Sequence, residues 1–310
     1  MTAHPPAVWL GFTGLVIALL VLDLGVLNRR SHVLGVREAT AWSAGLVTLA
    51  LAFAGFLWWR EGPEHALEFV TGYLVELSLS VDNLFVFILI FSYFGVPARG
   101  QPKVLKWGIL GAIVMRAVMI AVGALLLHRF HWVIYVFGAI LVVTGIRMAT
   151  GSGERIEPER NPLVRLARRF LPLTRAYGRD RFFVRTITGR WVATPLFIVL
   201  LVVEWTDLVF AIDSIPAVFA VTDDPFIVYS SNVFAILGLR ALFFVLAGML
   251  DRFSYLKLGV SAILVFVGLK MIASGWVRVP TALSLAVIAG CLGVAVAASL
   301  LRTRREAPAA

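Results

Sequence analysis

Two short runs carry acids that an apolar chain has no ordinary use for: Glu76-Leu-Ser-Leu-Ser-Val-Asp82-Asn83 and Glu204-Trp-Thr-Asp207-Leu-Val-Phe-Ala-Ile-Asp213. Glu76, Asp82, Glu204, Asp207 and Asp213 all fall well inside hydrophobic stretches. A charge left facing hydrocarbon near the centre of a spanning helix costs on the order of 2.5–3.5 kcal/mol or more. Each of the five must therefore meet a protein interior, a water-filled cavity, a counter-ion or a proton. Two arginines, Arg116 and Arg240, lie equally deep in stretches of their own, whereas Arg147, Lys270, Asp23 and Glu68 sit nearer the ends of theirs. If all seven central groups ionise, five acids against two arginines leave three negative charges uncompensated. A set of structural ion pairs cannot absorb that excess, but bound cations or protons can.

Helical spacing sorts these groups further. At about 100° per residue Asn83 returns to the face of Glu76, while Asp82 lies about 120° away. Glu204 and Asp207 are one turn apart and share a face. Pro216 follows Asp213 and removes the hydrogen bond to the carbonyl of Ile212, which either frees a hard oxygen beside the carboxylate or is an ordinary kink near a helix end. The ligand set is carboxylate, amide and carbonyl oxygen. The five histidines (His4, His32, His65, His128 and His131) lie at termini or loop edges, and the single cysteine, Cys291, lies in an apolar run and cannot form an intrachain disulfide. Oxygen ligands of this kind suit Mn²⁺, Mg²⁺ or Ca²⁺ better than Zn²⁺ or Cu⁺.

The elements that must hold these residues are membrane helices. Of 310 residues 60% are hydrophobic and 15% charged, with a mean hydropathy of +0.91. The apolar residues come in blocks of about 20, the length that crosses roughly 30 Å of hydrocarbon. Nine candidate spans result, at 8–28, 41–59, 67–91, 104–127, 132–149, 193–219, 229–250, 256–276 and 280–301. The first lacks the basic leader of a signal peptide and reads as a retained helix. The net charge of +10 comes from loops, which removes any argument for nucleic acid. Arg29, Arg30 and Arg37, then Arg99, Lys103 and Lys106, ten arginines from Arg155 to Arg190, then Arg252 and Lys257, and finally Arg302, Arg304 and Arg305 fall on one side. The other side holds Arg60, Arg129 and Arg278 with the acids Asp223 and Asp224. The positive-inside rule then places the N-terminus outside and the C-terminus in the cytoplasm. In the basic segment, Leu163 to Leu171 could lie as an amphipathic helix on anionic lipid or serve only to set topology.

Spans three to five and six to eight also repeat each other. Glu76 and Asp82 align with Asp207 and Asp213, Arg116 with Arg240, and Gly138-to-Met148 with Ser261-to-Met271, at offsets of 131, 124 and 123 residues. Three is odd, so the second copy must enter the membrane upside down, an architecture recurrent among secondary transporters with sites at the midplane. The fold expected is an all-α polytopic membrane protein of nine transmembrane helices with an inverted repeat of three-helix units. Residues 1–60 would form two peripheral helices, 61–149 the first unit, 150–192 an arginine-rich cytoplasmic loop, 193–276 the inverted second unit, and 277–310 the ninth helix and tail. Arg116 is expected to pair with an acid of span three and Arg240 with one of span six. Neither a phosphate-binding glycine loop nor a nucleophile triad is present, so no enzyme is expected.

Three ungapped stretches, Glu76 to Asn83, Glu204 to Ala217 and Ser231 to Ala241, closely resemble the TerC family, particularly its Alx-like branch, and the likeness covers nearly the whole chain. The resemblance implies a multi-pass protein of the bacterial inner membrane linked to manganese efflux and, by older naming, to tellurite resistance. It carries the family's acidic positions onto Glu76, Asp82, Glu204, Asp207 and Asp213. The function expected is export of a divalent cation, Mn²⁺ foremost, with Asp82 and Asp213 as central ligands and Glu76, Asn83, Glu204 and Asp207 as further ligands or proton carriers. Mn²⁺ would be transported substrate rather than cofactor, protons a possible coupling ion, and membrane lipid the surrounding partner. The alternatives are a Ca²⁺/H⁺ exchanger, or a non-transporting scaffold that aids metallation or insertion of exported proteins.

Overall fold

A computed structural model describes residues 4–22, 35–130, 132–150, 164–166, 169, 171–174, 181–185, 189–247, 255–277 and 279–306. Among the described residues there are nine helices of 15 residues or more: α1 (Pro6–Leu20), α2 (Val36–Glu61), α3 (Pro63–Tyr93), α4 (Gln101–Arg129), α5 (Val133–Thr150), α6 (Pro195–Phe219), α7 (Pro225–Ala247), α8 (Leu256–Ala273) and α9 (Thr281–Glu306). Each overlaps one of the nine apolar runs, and residues 23–28 of the first run and 248–250 of the seventh lie outside the described residues. Seven, α2 to α7 and α9, are long and apolar enough to cross a membrane; α1 has 15 residues and α8 has 18.

Local chemistry sets the helix ends. Gly62 alone separates α2 from α3, and its φ of 100° suits glycine; its N–H closes α2 on the carbonyls of Leu57 and Trp58 before Pro63 opens the next helix. Pro195 and Pro225 likewise stand at the first positions of α6 and α7. Pro216 does not break α6, which continues to Phe219; one turn from the end, a missing N–H disturbs little. Between α5 and α6 lies an element the apolar pattern did not indicate, a hairpin of β1 (Phe183–Arg185) and β2 (Trp191–Ala193) with Val184 opposite Val192, so the expected start of span six at 193 falls in β2 and the helix begins at Pro195. Of the stretch 163–171, Val164 to Leu166 is helical, and Leu163, Ala167, Arg168 and Phe170 lie outside the described residues.

The surface identifies the solvent. Val114, Val118, Val122 and Leu125 form an exposed stripe down α4, a face that is tolerable in lipid and not in water. Exposed Trp58, Trp59, Trp132 and Trp276 cluster at the ends of α2 and α8 and the start of α5, with Tyr93 and Trp107 at the opposite helix ends, as in the aromatic belts of membrane interfaces.

α7 is the central helix, buried along most of its length and packed against α2, α3 and α4. Rings from three neighbouring helices pack around its N-terminal half: Phe53 of α2 lies 5.1 Å from Phe234 and 5.1 Å from Phe69 of α3, and Phe12 of α1 lies 5.4 Å from Phe226. The most extensive contact is between α5 and α8. A Cβ on Gly138 would come within 2.8 Å of the Gly268 carbonyl oxygen, and one on Gly145 within 2.9 Å of that of Ser261, whose hydroxyl donates to the Gly145 carbonyl at 2.6 Å. The two helices therefore run antiparallel, with backbones touching at small residues. α4 packs chiefly on α6 and α7, α3 chiefly on α7, and α3 and α6 on each other.

Candidate functional site: a buried charge cluster between α3, α4 and α6

The cluster is built around Arg116. Its α4 backbone sits beside α6 and α7, and the guanidinium reaches across to α3, where Nη1 donates to Glu76 Oε1. The same nitrogen lies 3.3 Å from the Ser214 hydroxyl, and Nη2 lies 3.5 Å from Asp207 Oδ1, both on α6. Arg116, Glu76 and Asp207 are 1%, 0% and 3% exposed. One arginine thus serves two acids, so the fully ionised trio carries a net charge of −1. Glu76 Oε2 and both carboxylate oxygens of Asp207 have no hydrogen-bond donor, although they are shut away from solvent. Buried oxygens that are both charged and unfilled are expensive in a low-dielectric interior and attract a cation or a proton.

The remaining acids lie apart from this trio. Glu204, one turn from Asp207, sits half-buried against Gly111 of α4, where an added Cβ would collide with its carboxylate. Gly111 is therefore the small residue that makes room for Glu204. Asp213 is half-buried and accepts a hydrogen bond of 2.9 Å from Thr144 of α5. Arg240 is buried on α7, and Asn83 is 3% exposed with no acceptor for its Nδ2. Asp82 belongs to α3, but its side chain lies outside the described residues. Among the described residues no three His, Cys, Asp or Glu side chains come together in a way that could hold a metal ion. Thr144 and Ser214 are the partners that sequence reasoning missed. A hydroxyl in an apolar helix carries no charge to mark it, and its role becomes visible only when another helix is laid beside it.

A second polar network lies at the other end of α3. His4 Nε2 is 2.9 Å from Asp224 Oδ2, its Nδ1 is 3.5 Å from Glu61 Oε1, and Asp224 also caps α7 through the Phe226 N–H at 2.8 Å. Thr222 donates to Glu68 at 2.7 Å. These contacts tie α1, the α2–α3 junction and the α6–α7 turn together.

Apolar helices long enough to span a bilayer, a lipid-compatible surface and a charge cluster sealed between three of those helices define a multi-pass integral membrane protein. Residues 61–307 match the integral membrane protein TerC family, and the chain belongs to that family. Among its relatives, an uncharacterised membrane protein of Myxococcus xanthus, STKORF319, is 54% identical over 299 residues, covering 96% of this chain and 93% of the relative. A protein of Escherichia coli K12 that carries the provisional name membrane-bound redox modulator Alx is 48% identical over 300 residues, 94% of this chain and 93% of its own length. An uncharacterised membrane protein of Rickettsia bellii is 40% identical over 294 residues, 95% and 97% of the two chains. No solved structure matches it significantly.

Proposed function

We propose that the protein is a secondary transporter of the bacterial inner membrane that exports a hard divalent cation, Mn²⁺ foremost, from the cytoplasm. The observation that carries this reading is the Glu76–Arg116–Asp207 trio, whose unfilled buried carboxylate oxygens on two different helices give a cation a reason to enter the membrane. Asp82, Asn83, Glu204 and Asp213 would complete the route as ligands or proton carriers, and Arg240 would be the second charge-pairing arginine. Oxygen ligands favour Mn²⁺, Mg²⁺ or Ca²⁺, and the choice of Mn²⁺ among them rests on family resemblance.

Alternating access would come from two inverted units, α3–α5 and α6–α8, within a nine-span chain. Two features support that arrangement. Under the sequence alignment Glu76 corresponds to Asp207, and Arg116 reaches both. Gly138 corresponds to Ser261 and Gly145 to Gly268, so the Gly138–Gly268 contact and the Gly145–Ser261 contact are images of each other. A pseudo-two-fold axis between the units requires such paired contacts. The redox role in the relatives' name has little to act through in this chain, since one cysteine provides no internal dithiol.

Metal-resolved flux in inverted membrane vesicles tests the reading. Wild type should accumulate Mn²⁺, while Asp207→Asn and Asp213→Asn, which keep shape and remove the anionic oxygen, should not accumulate it although the protein remains in the membrane. Flux of Ca²⁺ in place of Mn²⁺ would reassign the cargo. Absence of any metal flux, together with full activity in cells of the Asp82→Asn variant, would leave the scaffold role.

A further inference from the structure

Hydroxyls inside helices have a routine way of satisfying themselves, which is to donate to a carbonyl of the preceding turn. This chain uses it repeatedly. Ser43 bonds Ala39, Thr71 bonds Leu67, Ser78 bonds Leu74, Thr206 bonds Val202, Ser231 bonds Val228 and Ser299 bonds Ala295. Ser80 does not. It is 0% exposed, and its hydroxyl has no hydrogen-bond partner.

Its place on α3 gives that departure a direction. Ser80 is four residues beyond Glu76 and three before Asn83, so the three lie on one face of the helix, spread over about 10 Å of its length. All three keep unfilled hydrogen-bonding capacity in the sealed interior: Glu76 at Oε2, Ser80 at Oγ, Asn83 at Nδ2. Ser78, two residues away and therefore on the opposite side of α3, is equally buried and has its hydroxyl satisfied by the backbone. The unfilled groups thus form one stripe that starts at the Arg116 cluster. On α7, the helix packed most extensively against α3, Asn232 is also 0% exposed with both amide atoms unfilled. Groups of this kind, one after another in the interior of a membrane protein, are stable where water or an ion passes.

We propose that Ser80 is a further station of the cation path: the Glu76–Ser80–Asn83 face of α3 holds a hydrated file, and the Ser80 hydroxyl is a neutral oxygen ligand for the partly hydrated divalent cation between the carboxylate and the amide. The proposal deepens the transport reading and rests on it for the identity of the cargo. A neutral oxygen after a charged one suits passage, because a cation held only by carboxylates binds too tightly to move on.

The only cysteine, Cys291, can be removed as Cys291→Ser, and Ser80→Cys and Ser78→Cys can then be compared in native membranes with a small cationic thiosulfonate. Ser80→Cys should react roughly tenfold faster or more, because the reagent needs a hydrated thiolate and a thiol packed among apolar groups is inert. Excess Mn²⁺ or Ca²⁺ should slow that reaction and leave Ser78→Cys unaffected. Ser80→Ala should keep the thermal stability of wild type, having lost a hydroxyl that bonds nothing, and should lose several-fold in flux. Equal reactivity at the two positions overturns the proposal, and so does fast modification that no divalent cation slows, or a Ser80→Ala variant with unchanged flux. The transport reading has its own failure, which is wild-type vesicles that move no metal. Cation-protected labelling at Ser80→Cys in such a protein would keep the station and discard the transporter.

Discussion

Arg116 decides what the two motif acids can be. With it in place Glu76 and Asp207 share one guanidinium; without it two carboxylates are left in the interior with no positive charge between them. Removing one partner of a buried ion pair typically costs about 3–5 kcal/mol. Arg116→Ala is therefore expected to lower the melting temperature of the detergent-purified protein sharply, and Glu76→Gln in the same chain should restore part of that loss, leaving Asp207 still unpaired. Strictly additive losses in the double variant would show that the two side chains are not coupled. The five acids and two arginines were legible in the sequence because charge inside an apolar run stands out. How Arg116 reaches an acid of span three was not legible there. α3 and α4 barely touch, and α4 lies against α6 and α7. The contact forms because the arginine side chain is long enough to cross the gap, and no periodicity argument contains that reach. Glu204 and Asp207 show the same limit, for one face of α6 divides between the Gly111 niche and the Arg116 trio.

Helix positions were legible because bilayer thickness imposes a block length that few other constraints disturb. The β1–β2 hairpin was not, since strands of three residues in a polar loop produce no hydrophobic period. Helix partners were also hidden. In lipid, association comes from close packing at small residues rather than from an apolar stripe, so the α5–α8 crossing is written only in Gly138, Gly145, Ser261 and Gly268. That crossing makes a sharp expectation. Gly268→Val would drive a side chain into the Gly138 carbonyl and Leu141 Cβ, both less than 3 Å from where its Cβ must stand. Overpacking of this kind typically costs about 1–3 kcal/mol, and rigid backbone as the obstacle puts it at the upper end. Gly290→Ala and Gly293→Ala on α9 meet nothing within 4 Å and serve as controls. The melting temperature should fall for Gly268→Val and stay near wild type for both controls. An unchanged Gly268→Val would mean that α5 and α8 do not touch there.

At the scale of the whole molecule the number of crossings fixes which acids face which compartment. Length and apolarity suffice for seven helices, leaving α1 and α8 to be argued. α8 runs antiparallel to α5 in backbone contact at both Gly138–Gly268 and Gly145–Ser261, so a membrane that contains α5 contains α8. Its 18 residues extend about 27 Å at 1.5 Å each, close to the roughly 30 Å of a hydrocarbon core. α1 carries its apolar side chains into the α2–α3–α7 aromatic cluster through Phe12 and has no charged residue between Pro6 and Leu20, which leaves it no aqueous face. On the proposed nine-span reading the termini would lie on opposite sides, and the positive-inside rule would put the arginine-rich segment and the C-terminus in the cytoplasm and the His4–Glu61–Asp224 network outside. Reporter fusions at residue 170 and at the C-terminus should be active only as cytoplasmic reporters, and fusions at Asp223 only as external ones. A cysteine introduced at Thr2 on the Cys291→Ser background should react with an impermeant thiol reagent in intact cells. Protection at Thr2 with labelling at Asp223→Cys would mean that α1 lies on the membrane rather than through it, leaving the proposed inverted repeat untouched. Protection at both would turn the chain over, and with it the proposed direction of export.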